Sequence, residues 1–169
     1  MSKTLIACSS YMKSDALSVL LDSLIEHGYQ EGNKIIVCDD NAGKGYSITR
    51  KNNPNHPDFL HAPPEVKEIQ KPSVPELLKD YPGIECVHGK ERGGVAANKN
   101  RGIKYFLENP EYDYLLLLDD DIKFISPGFI DLCIESGMPH LTGYLGDPAN
   151  DTIKFGETQS PFFTTFPPQ

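Results

Sequence analysis

The sequence contains no tryptophan, and its four cysteines share no Cys-x-x-Cys spacing: Cys8, Cys38, Cys86 and Cys133. Three of them lie within apolar runs that resemble strands, so we expect buried, reduced thiols rather than disulfides or zinc ligands. Long apolar runs are also missing. No segment could span a bilayer, and the N-terminal run Leu5–Cys8 is too short for the apolar region of a signal peptide. These absences predict a reducing, cytoplasmic setting.

Positive charge is scarce as well. The 169 residues hold 16 Lys and Arg against 24 Asp and Glu, a formal net charge of −8. This balance argues against a broad nucleic-acid or anionic-membrane surface and leaves room only for a local basic groove. Two common nucleotide fingerprints are absent: no Gly-x-Gly-x-x-Gly follows a strand, and Gly43-Lys44-Gly45 lacks the flanking residues of a P-loop. With 38% hydrophobic residues, the chain fits one domain with a real core.

The chain opens with a strand, a helix and a second strand. The apolar runs Thr4–Cys8 and Lys34–Cys38 predict the strands. Between them, a helical stripe begins after a cap at Ser14 or Asp15 and stops at Gly28; its apolar members are Ala16, Val19, Leu20, Leu24 and Ile25. A βαβ unit strongly favours parallel strands with a right-handed crossover, so both strands deliver their polar ends to one sheet edge.

The remaining elements are predicted from the same periodicities. Residues 46–75 are rich in Asn and Pro and predict a loop insertion; His56 and His61 lie there, but the absence of a nearby third ligand argues against a metal pair. The later elements expected are a helix over 75–81, a strand over 84–88, a helix from about 95 to 109, a helix over 127–136 and a strand over 140–145.

The most informative stretch is a run of four leucines followed by three aspartates, Leu115–Leu118 and Asp119–Asp121. The leucines predict a strand buried on both faces, as in a parallel sheet covered by helices. The aspartates would then fall at the carboxyl edge, where ligands bind in open α/β sheets. If the extended backbone continues through the triplet, alternation places Asp119 and Asp121 on one side, where like charges roughly 7 Å apart repel by about 2 kcal/mol and favour a hard divalent cation. The alternative is a solvated turn or a helix cap.

A second informative stretch combines glycines with positive charge. Gly93 and Gly94 allow close backbone approach, and the helix opening near Val95 offers free N–H groups suited to phosphate. The stretch supplies four cationic side chains, Lys90, Arg92, Lys99 and Arg101. A simple loop followed by a positive helix face is the alternative, and a single Arg-Gly-Gly is no RNA-binding repeat.

Four stretches together resemble the nucleotide-sugar-binding half of the family-two glycosyltransferases, which have the GT-A fold. They are Ser9-Ser10-Tyr11-Met12-Lys13 after the first strand, Asp39-Asp40-Asn41 after the second, the helix start Gly94–Gly102, and the Asp-x-Asp pair Asp119 and Asp121. The resemblance covers about Lys3 to Phe129. It implies an α/β fold with an open, mostly parallel, Rossmann-like sheet flanked by helices, apparently short or truncated at the C-terminus.

The resemblance also implies roles for individual residues. Asp40 would accept a hydrogen bond from a uridine base, and Ser9 and Tyr11 would line the base and ribose. Asp119 would lie near the ribose, and Asp119 and Asp121 would hold Mn²⁺ or Mg²⁺ on the diphosphate of a UDP-sugar. Lys99 stands where the family commonly has arginine. Since lysine cannot make a bidentate contact, Arg101 is a second candidate for the donor contact.

The implied activity is transfer of a sugar from a nucleotide diphosphate to an acceptor hydroxyl, with inversion. Such an enzyme needs a carboxylate base, and the acids beyond the helix predicted over 127–136 are Asp147, Asp151 and Glu157. The expected organisation is a single domain over 1–169, with a nucleotide-sugar core over 1–129, the insertion over 46–75 and the start of an acceptor-side region over 130–169.

The acceptor stays open between a glycan, a protein and a nucleic-acid base, as does completion of its site by a second copy or a partner chain. Two other functions stay open. One is a non-catalytic nucleotide-sugar-binding or assembly module. The other is nucleotidyl transfer on a related sheet, although that chemistry calls for a Gly-rich, Arg-containing loop directly after the first strand.

Overall fold

The computed structural model describes residues 2–28, 32–50, 67–137 and 163–165. The strands are β1 (Thr4–Ser10), β2 (Lys34–Asp39), β3 (Tyr46–Arg50), β4 (Lys67–Lys71), β5 (Glu85–His88), β6 (Tyr114–Asp119), β7 (Ile122–Phe124) and β8 (Phe163–Thr165). The helices are α1 (Ser14–Ser23), continued by a π-helical turn over Leu24–Gly28, α2 (Val74–Leu77), continued by a 3₁₀ turn over Leu78–Asp80, α3 (Gly94–Glu108) and α4 (Phe129–Glu135).

A four-stranded parallel sheet in the order β5-β2-β1-β6 forms the centre of the molecule. Strand β1 has a neighbour on each side and a helix layer on each face, so all seven of its residues are buried. Ile6 and Cys8 belong to the core that includes the leucines of α1, whereas Leu5 and Ala7 belong to the core packed by Tyr105 and Phe106 of α3 and Tyr112. The predicted open, parallel α/β sheet flanked by helices is therefore confirmed.

The predicted apolar stripe of α1 is wrong in part. The fully buried leucines are Leu17, Leu20, Leu21 and Leu24, whereas Val19 is exposed and Ile25 is 52% exposed. The rotation of the helix is set by its leucines, and the π-helical turn beginning at Leu24 changes the residue spacing and carries Ile25 outward. The predicted cap is also wrong. Ser14 is the first helical residue, and its backbone N–H donates to the hydroxyl of Tyr46 at 2.9 Å rather than to a capping side chain.

Both ends of the region predicted as a loop insertion form strands. Strands β3 and β4 pair as an antiparallel hairpin from Tyr46–Lys71 to Arg50–Lys67, so the prediction of a loop is wrong at both ends. An ion pair between Lys71 and Asp15 and the hydroxyl contact of Tyr46 with Ser14 fasten this hairpin to the start of α1. His56 and His61 lie outside the described residues.

The leucine strand β6 is less buried than predicted. Only Leu118 is buried, and Leu117 and Tyr114 are exposed, so burial on both faces is wrong for the part of the chain that the structure describes. Within those residues β6 pairs with β1 alone and forms an edge of the sheet, which accounts for the difference. The predicted strand over 140–145 lies outside the described residues.

The other element predictions agree with the structure within one or two residues, including the helix over 127–136, observed as α4. The four cysteines are free. Cys8 and Cys38 are buried, as predicted, whereas Cys86, the third cysteine in an apolar run, is only partly buried. Burial raises the pKa of the Cys38 thiol to about 11 and that of Cys86 to about 12, so these side chains are not activated nucleophiles. Across the described ranges, no helix combines the length and the apolar character needed to cross a membrane.

Candidate functional site

A cavity of about 320 Å³ opens at the carboxyl ends of β1, β2 and β6. It is lined from four separated parts of the chain: residues within 9–13, Asp40, residues within 92–98, and Asp119–Asp121. Parallel pairing brings these parts together, because Ser9 lies beside Asp119 and Ser10 lies beside Asp39 in the register of the sheet. The sequence prediction that the polar strand ends meet at one edge is confirmed.

The three aspartates occupy different environments. Strand β6 ends at Asp119, and the chain turns through Asp120 and Asp121 into β7, so the expectation of an extended backbone through the triplet is wrong. Asp119 is 52% exposed and its carboxylate lies 3.1 Å from the ammonium of Lys99, on α3. Asp121 is 44% exposed and lies 3.4 Å from the ammonium of Lys13. The two carboxylates named for a metal are thus accessible, and each has a lysine beside it.

Asp120 is the buried member of the triplet, and no role in the site was predicted for it from the sequence. Its carboxylate accepts a hydrogen bond from the backbone N–H of Tyr11 at 3.3 Å and lies 3.6 Å from the ammonium of Lys13. Burial raises the pKa of Asp120, and the nearby charge of Asp121 adds to this, against the opposing effect of Lys13. Asp120 therefore ties the turn after β1 to the turn after β6.

Lys13 is a second residue that sequence reasoning did not place in the site. Burial alone would lower the pKa of its ammonium, but Asp120 and Asp121 outweigh burial and raise it, so Lys13 stays charged in the cavity. One sequence signal pointed to Lys13. It follows Ser9, the strand partner of Asp119, by only four residues, so it lies near the sheet edge where the strand ends meet.

Asp40 is held by protein donors on both carboxylate oxygens. Oδ1 accepts from the backbone N–H of Gly93 at 2.9 Å and from the Arg101 guanidinium at 3.0 Å, and Oδ2 accepts from the N–H of Gly94 at 2.9 Å. Burial by itself would raise the pKa of Asp40, but these hydrogen bonds together hold it below its ordinary value. Asp40 thus anchors the start of α3 to the end of β2.

Asp39, the neighbour of Asp40, has a separate task. It is fully buried, and its two oxygens accept from the backbone N–H groups of Asn41 at 2.8 Å and Gly43 at 2.7 Å. Asp39 therefore caps the turn that follows β2. Asp40 reaches instead to a different segment, 53 residues further along the chain.

The structure separates the two cations considered for the donor contact. Arg101 is 17% exposed and, besides Asp40, donates to the side chain of Asn98 at 2.8 Å. Asn98 in turn donates to the carbonyls of Cys38 at 2.8 Å and Ser10 at 3.2 Å, joining α3 to the ends of β2 and β1. Arg101 is committed to this network, whereas Lys99 reaches the exposed carboxylate of Asp119.

An aromatic ring and an arginine form the other wall of the cavity. The guanidinium of Arg92 lies 4.3 Å from the centre of the Tyr11 ring and 3.9 Å from the carboxylate of Asp40. Val95, at the start of α3, lines the same cavity and is exposed. Ser9 lines it beside Tyr11. The cavity therefore presents a π-face and an apolar group on one side and carboxylates on the other.

The possible ligands for a divalent ion in the cavity are the carboxylates of Asp119 and Asp121. Among the described residues, no group of three or more His, Cys, Asp or Glu side chains is arranged to hold a metal. Mg²⁺, however, typically takes one or two protein carboxylates and completes its shell with water and phosphate oxygens. Asp119 and Asp121 are accessible hard donors of that kind, so the residues present fit such an ion. The base candidates Asp147, Asp151 and Glu157 lie outside the described residues.

No family model and no curated protein matches the chain. Among solved structures it is similar to S. aureus TarS, with a TM-score of 0.46 and 14% identity over 79% of this chain and 19% of that one. It is also similar to S. aureus TarS 1-349, at a TM-score of 0.47 and 16% identity, over 79% and 32% of the two chains. The same fragment in complex with UDP gives 0.47 and 15%, over 79% and 31%.

This chain therefore spans less than a third of the length of those structures. A likeness at such identities and TM-scores does not transfer an activity. The function of this chain has to be inferred from its own residues.

Proposed function

We propose that this chain binds a nucleotide sugar, with a UDP-sugar as the expected donor, and transfers the sugar to an acceptor hydroxyl as a GT-A-type glycosyltransferase. The observation that carries the proposal is the convergence of Tyr11, Asp40 and Asp119–Asp121 on one cavity at the carboxyl edge of a parallel sheet. Each of these stretches also carries one of the motifs that resemble the family. The parallel sheet brings the strand ends to one edge, and the side chains that line the cavity there include those of the motifs.

The cavity walls suggest how a nucleotide would lie. The base would stack on the ring of Tyr11, in place of or beside the Arg92 guanidinium, with the ribose near Ser9 and Asp119. A base N–H would donate to Oδ2 of Asp40, which carries one close hydrogen bond where Oδ1 carries two. Because Asp40 also fixes the Gly93-Gly94 turn, we give it both a base-reading and a positioning role.

The diphosphate would lie toward the exposed carboxylates. Asp121, together with Asp119, would hold Mn²⁺ or Mg²⁺, and such an ion supplies positive charge to the departing nucleoside diphosphate. Lys13 and Lys99 lie beside those carboxylates and would contact the same anion once it is bound. Arg101 keeps the wall in place through Asp40.

Sugar transfer with inversion needs a carboxylate that takes the proton of the acceptor hydroxyl. We keep Asp147, Asp151 and Glu157 as the candidates for this base. The acceptor, whether a glycan, a protein or a nucleic-acid base, and any second chain that completes its site are part of the same proposal.

A specific observation favours a second candidate, a non-catalytic nucleotide-sugar-binding module. The carboxylates named for the metal each pair with a lysine, so the described cavity has a counter-charge for each without an ion. Such a cavity could hold a nucleotide sugar without activating its leaving group. Turnover therefore has to be measured separately from binding.

The test is calorimetric titration of UDP, GDP and CDP into the purified chain, with Mn²⁺ and then with EDTA. We expect UDP to bind best and Mn²⁺ to tighten it. Release of nucleoside diphosphate from a panel of nucleotide sugars with candidate acceptors would then separate a transferase from a binding module. Absence of binding by all three nucleotides under both conditions would reject the proposed function.

A further inference from the structure

Lys13 lies where the turn after β1 meets the turn after β6. Its ammonium is 3.4 Å from Oδ2 of Asp121 and 3.6 Å from Oδ1 of Asp120, and its side chain lines the cavity at 45% exposure. One cation thus serves two neighbouring carboxylates, one buried and one accessible. No other lysine or arginine among the described residues forms an ion pair with either of them.

The backbone fixes where this side chain starts. Met12 adopts a positive φ of 54°, which few non-glycine residues adopt, and Lys13 then provides the carbonyl that accepts from Leu17 N–H at 2.9 Å in the first turn of α1. The backbone of Lys13 is therefore anchored by the helix. Its side chain is long and partly exposed, so its ammonium can change partners without moving the fold.

We propose that Lys13 is an internal counter-ion that competes with a divalent metal for Asp121, and that it contacts the diphosphate when a nucleotide binds, with or without the metal. The inference rests on the proposed function, because it takes the cavity as a site for a metal and a diphosphate. An ammonium and a divalent ion cannot both lie against one carboxylate oxygen without repulsion. We expect metal binding to the free chain to displace Lys13, whereas in the nucleotide complex the displaced ammonium gains an anionic partner.

This exchange makes opposite predictions for two measurements. In a Lys13→Met variant, Mn²⁺ alone should bind more tightly, because the competing ammonium is gone. In EDTA, the same variant should bind UDP more weakly, because the diphosphate loses a cation. Since the Lys13–Asp121 pair is close to half exposed, each change should be about two- to fivefold.

The experiment counts free Mn²⁺ by electron paramagnetic resonance during titration of the full chain, without nucleotide, and measures UDP affinity in EDTA by calorimetry. Lys104→Met is the matched control, since Lys104 pairs with Glu108 on the exposed side of α3, away from the cavity. Lys13→Arg is the rescue variant, which restores the cation and should restore the weaker Mn²⁺ affinity. Thermal unfolding of each variant establishes that it folds.

The outcomes separate the two levels of the proposal. Equal Mn²⁺ affinity in wild type and Lys13→Met, or no Mn²⁺ binding by either, would overturn the competition. Tighter Mn²⁺ binding in both Lys13→Met and Lys104→Met would reduce it to a general charge effect and overturn it as well. If wild type binds no nucleotide, the proposed function fails, yet the Mn²⁺ titration still decides whether Lys13 and the metal compete.

Discussion

Replacing Asp40 by asparagine tests the contact network at the centre of the cavity. The side chain of Asp40 is 4% exposed and bonds the N–H groups of Gly93 and Gly94 and the guanidinium of Arg101. Asparagine keeps the shape of the side chain but replaces one acceptor oxygen by an NH₂ group. That donor then faces a backbone N–H group, which is also a donor. The change also leaves the 17%-exposed guanidinium of Arg101 without its counter-charge.

The expected cost follows from those losses. Hydrogen bonds to charged groups contribute about 1.5–3 kcal/mol each, and removing one partner of a buried ion pair costs about 3–5 kcal/mol. Because these effects overlap on one carboxylate, we expect Asp40→Asn to lower the free energy of unfolding by about 3 kcal/mol at neutral pH. For a chain of this size that corresponds to a fall in Tm of about 6–12 °C.

The pH dependence of this cost has a defined sign. The folded pKa of Asp40 lies below the ordinary value of 3.8, so its stabilisation is complete above pH 3.8 and is lost as the pH falls through the lower folded pKa. Protonated Asp40 resembles asparagine in charge and shape. The difference between wild type and variant should therefore stay constant from neutral pH down to about 3.8 and shrink only below it.

The assay is urea unfolding of wild type and Asp40→Asn across this pH range, with Asp121→Asn as the control. The Asp121 carboxylate is accessible and meets only the lysine ammonium in the described structure, so the control should change stability by under about 1 kcal/mol. Equal stability of wild type and Asp40→Asn at neutral pH would refute the anchoring role. So would a deficit that persists unchanged well below pH 3.8.

Two further predictions concern metal and packing. Asp121→Ala should abolish the tightening of UDP binding by Mn²⁺, measured by calorimetry. The control Asp80→Ala lies outside the cavity and should keep that effect. An unchanged effect of Mn²⁺ in Asp121→Ala would show that Asp121 is not a metal ligand. Gly102→Ala places a Cβ 2.8 Å from the Cβ of Ala7 and should cost about 1–3 kcal/mol in urea unfolding. In contrast, Gly83→Ala meets no atom within 4 Å and should lose stability only through the strain of its positive φ. Unchanged stability of Gly102→Ala would contradict the packing argument.

The sequence predicted the sheet and its edge because the signals there are local. Apolar runs, stop residues and the βαβ rule fixed β1, α1 and β2 as parallel elements, and the leucine run gave β6. Exposure could not be predicted in the same way. Whether Leu117 is covered depends on the neighbours of β6, and the periodicity of α1 could not reveal the π-helical turn at Leu24.

The partners of the charged residues were the least predictable part of the site. Lys99 and Arg101 are only two residues apart in the sequence, yet their partners differ. Arg101 pairs with the buried Asp40, whereas Lys99 pairs with the exposed Asp119. The helix orientation that decides this follows from packing of α3 on β1, where Gly102 lets the backbone approach Ala7 closely. The role of Lys13 was not predicted, because it depends on a contact with Asp121, 108 residues further along the chain.

The resulting charge arrangement divides the cavity wall into a fixed and an exchangeable half. Four carboxylates face the cavity, and each lies within 4.0 Å of at least one cation. Asp40 pairs with Arg101 and is approached by Arg92. Asp119 pairs with Lys99, and Asp120 and Asp121 share Lys13. Asp40 is buried and Arg101 is only 17% exposed, so separating them is expensive and their geometry persists. The pairs made by Asp119 and Asp121 are accessible and weak. Because an incoming diphosphate adds negative charge to a nearly neutral wall, the exposed lysines must change partners, a metal must bind, or both must happen.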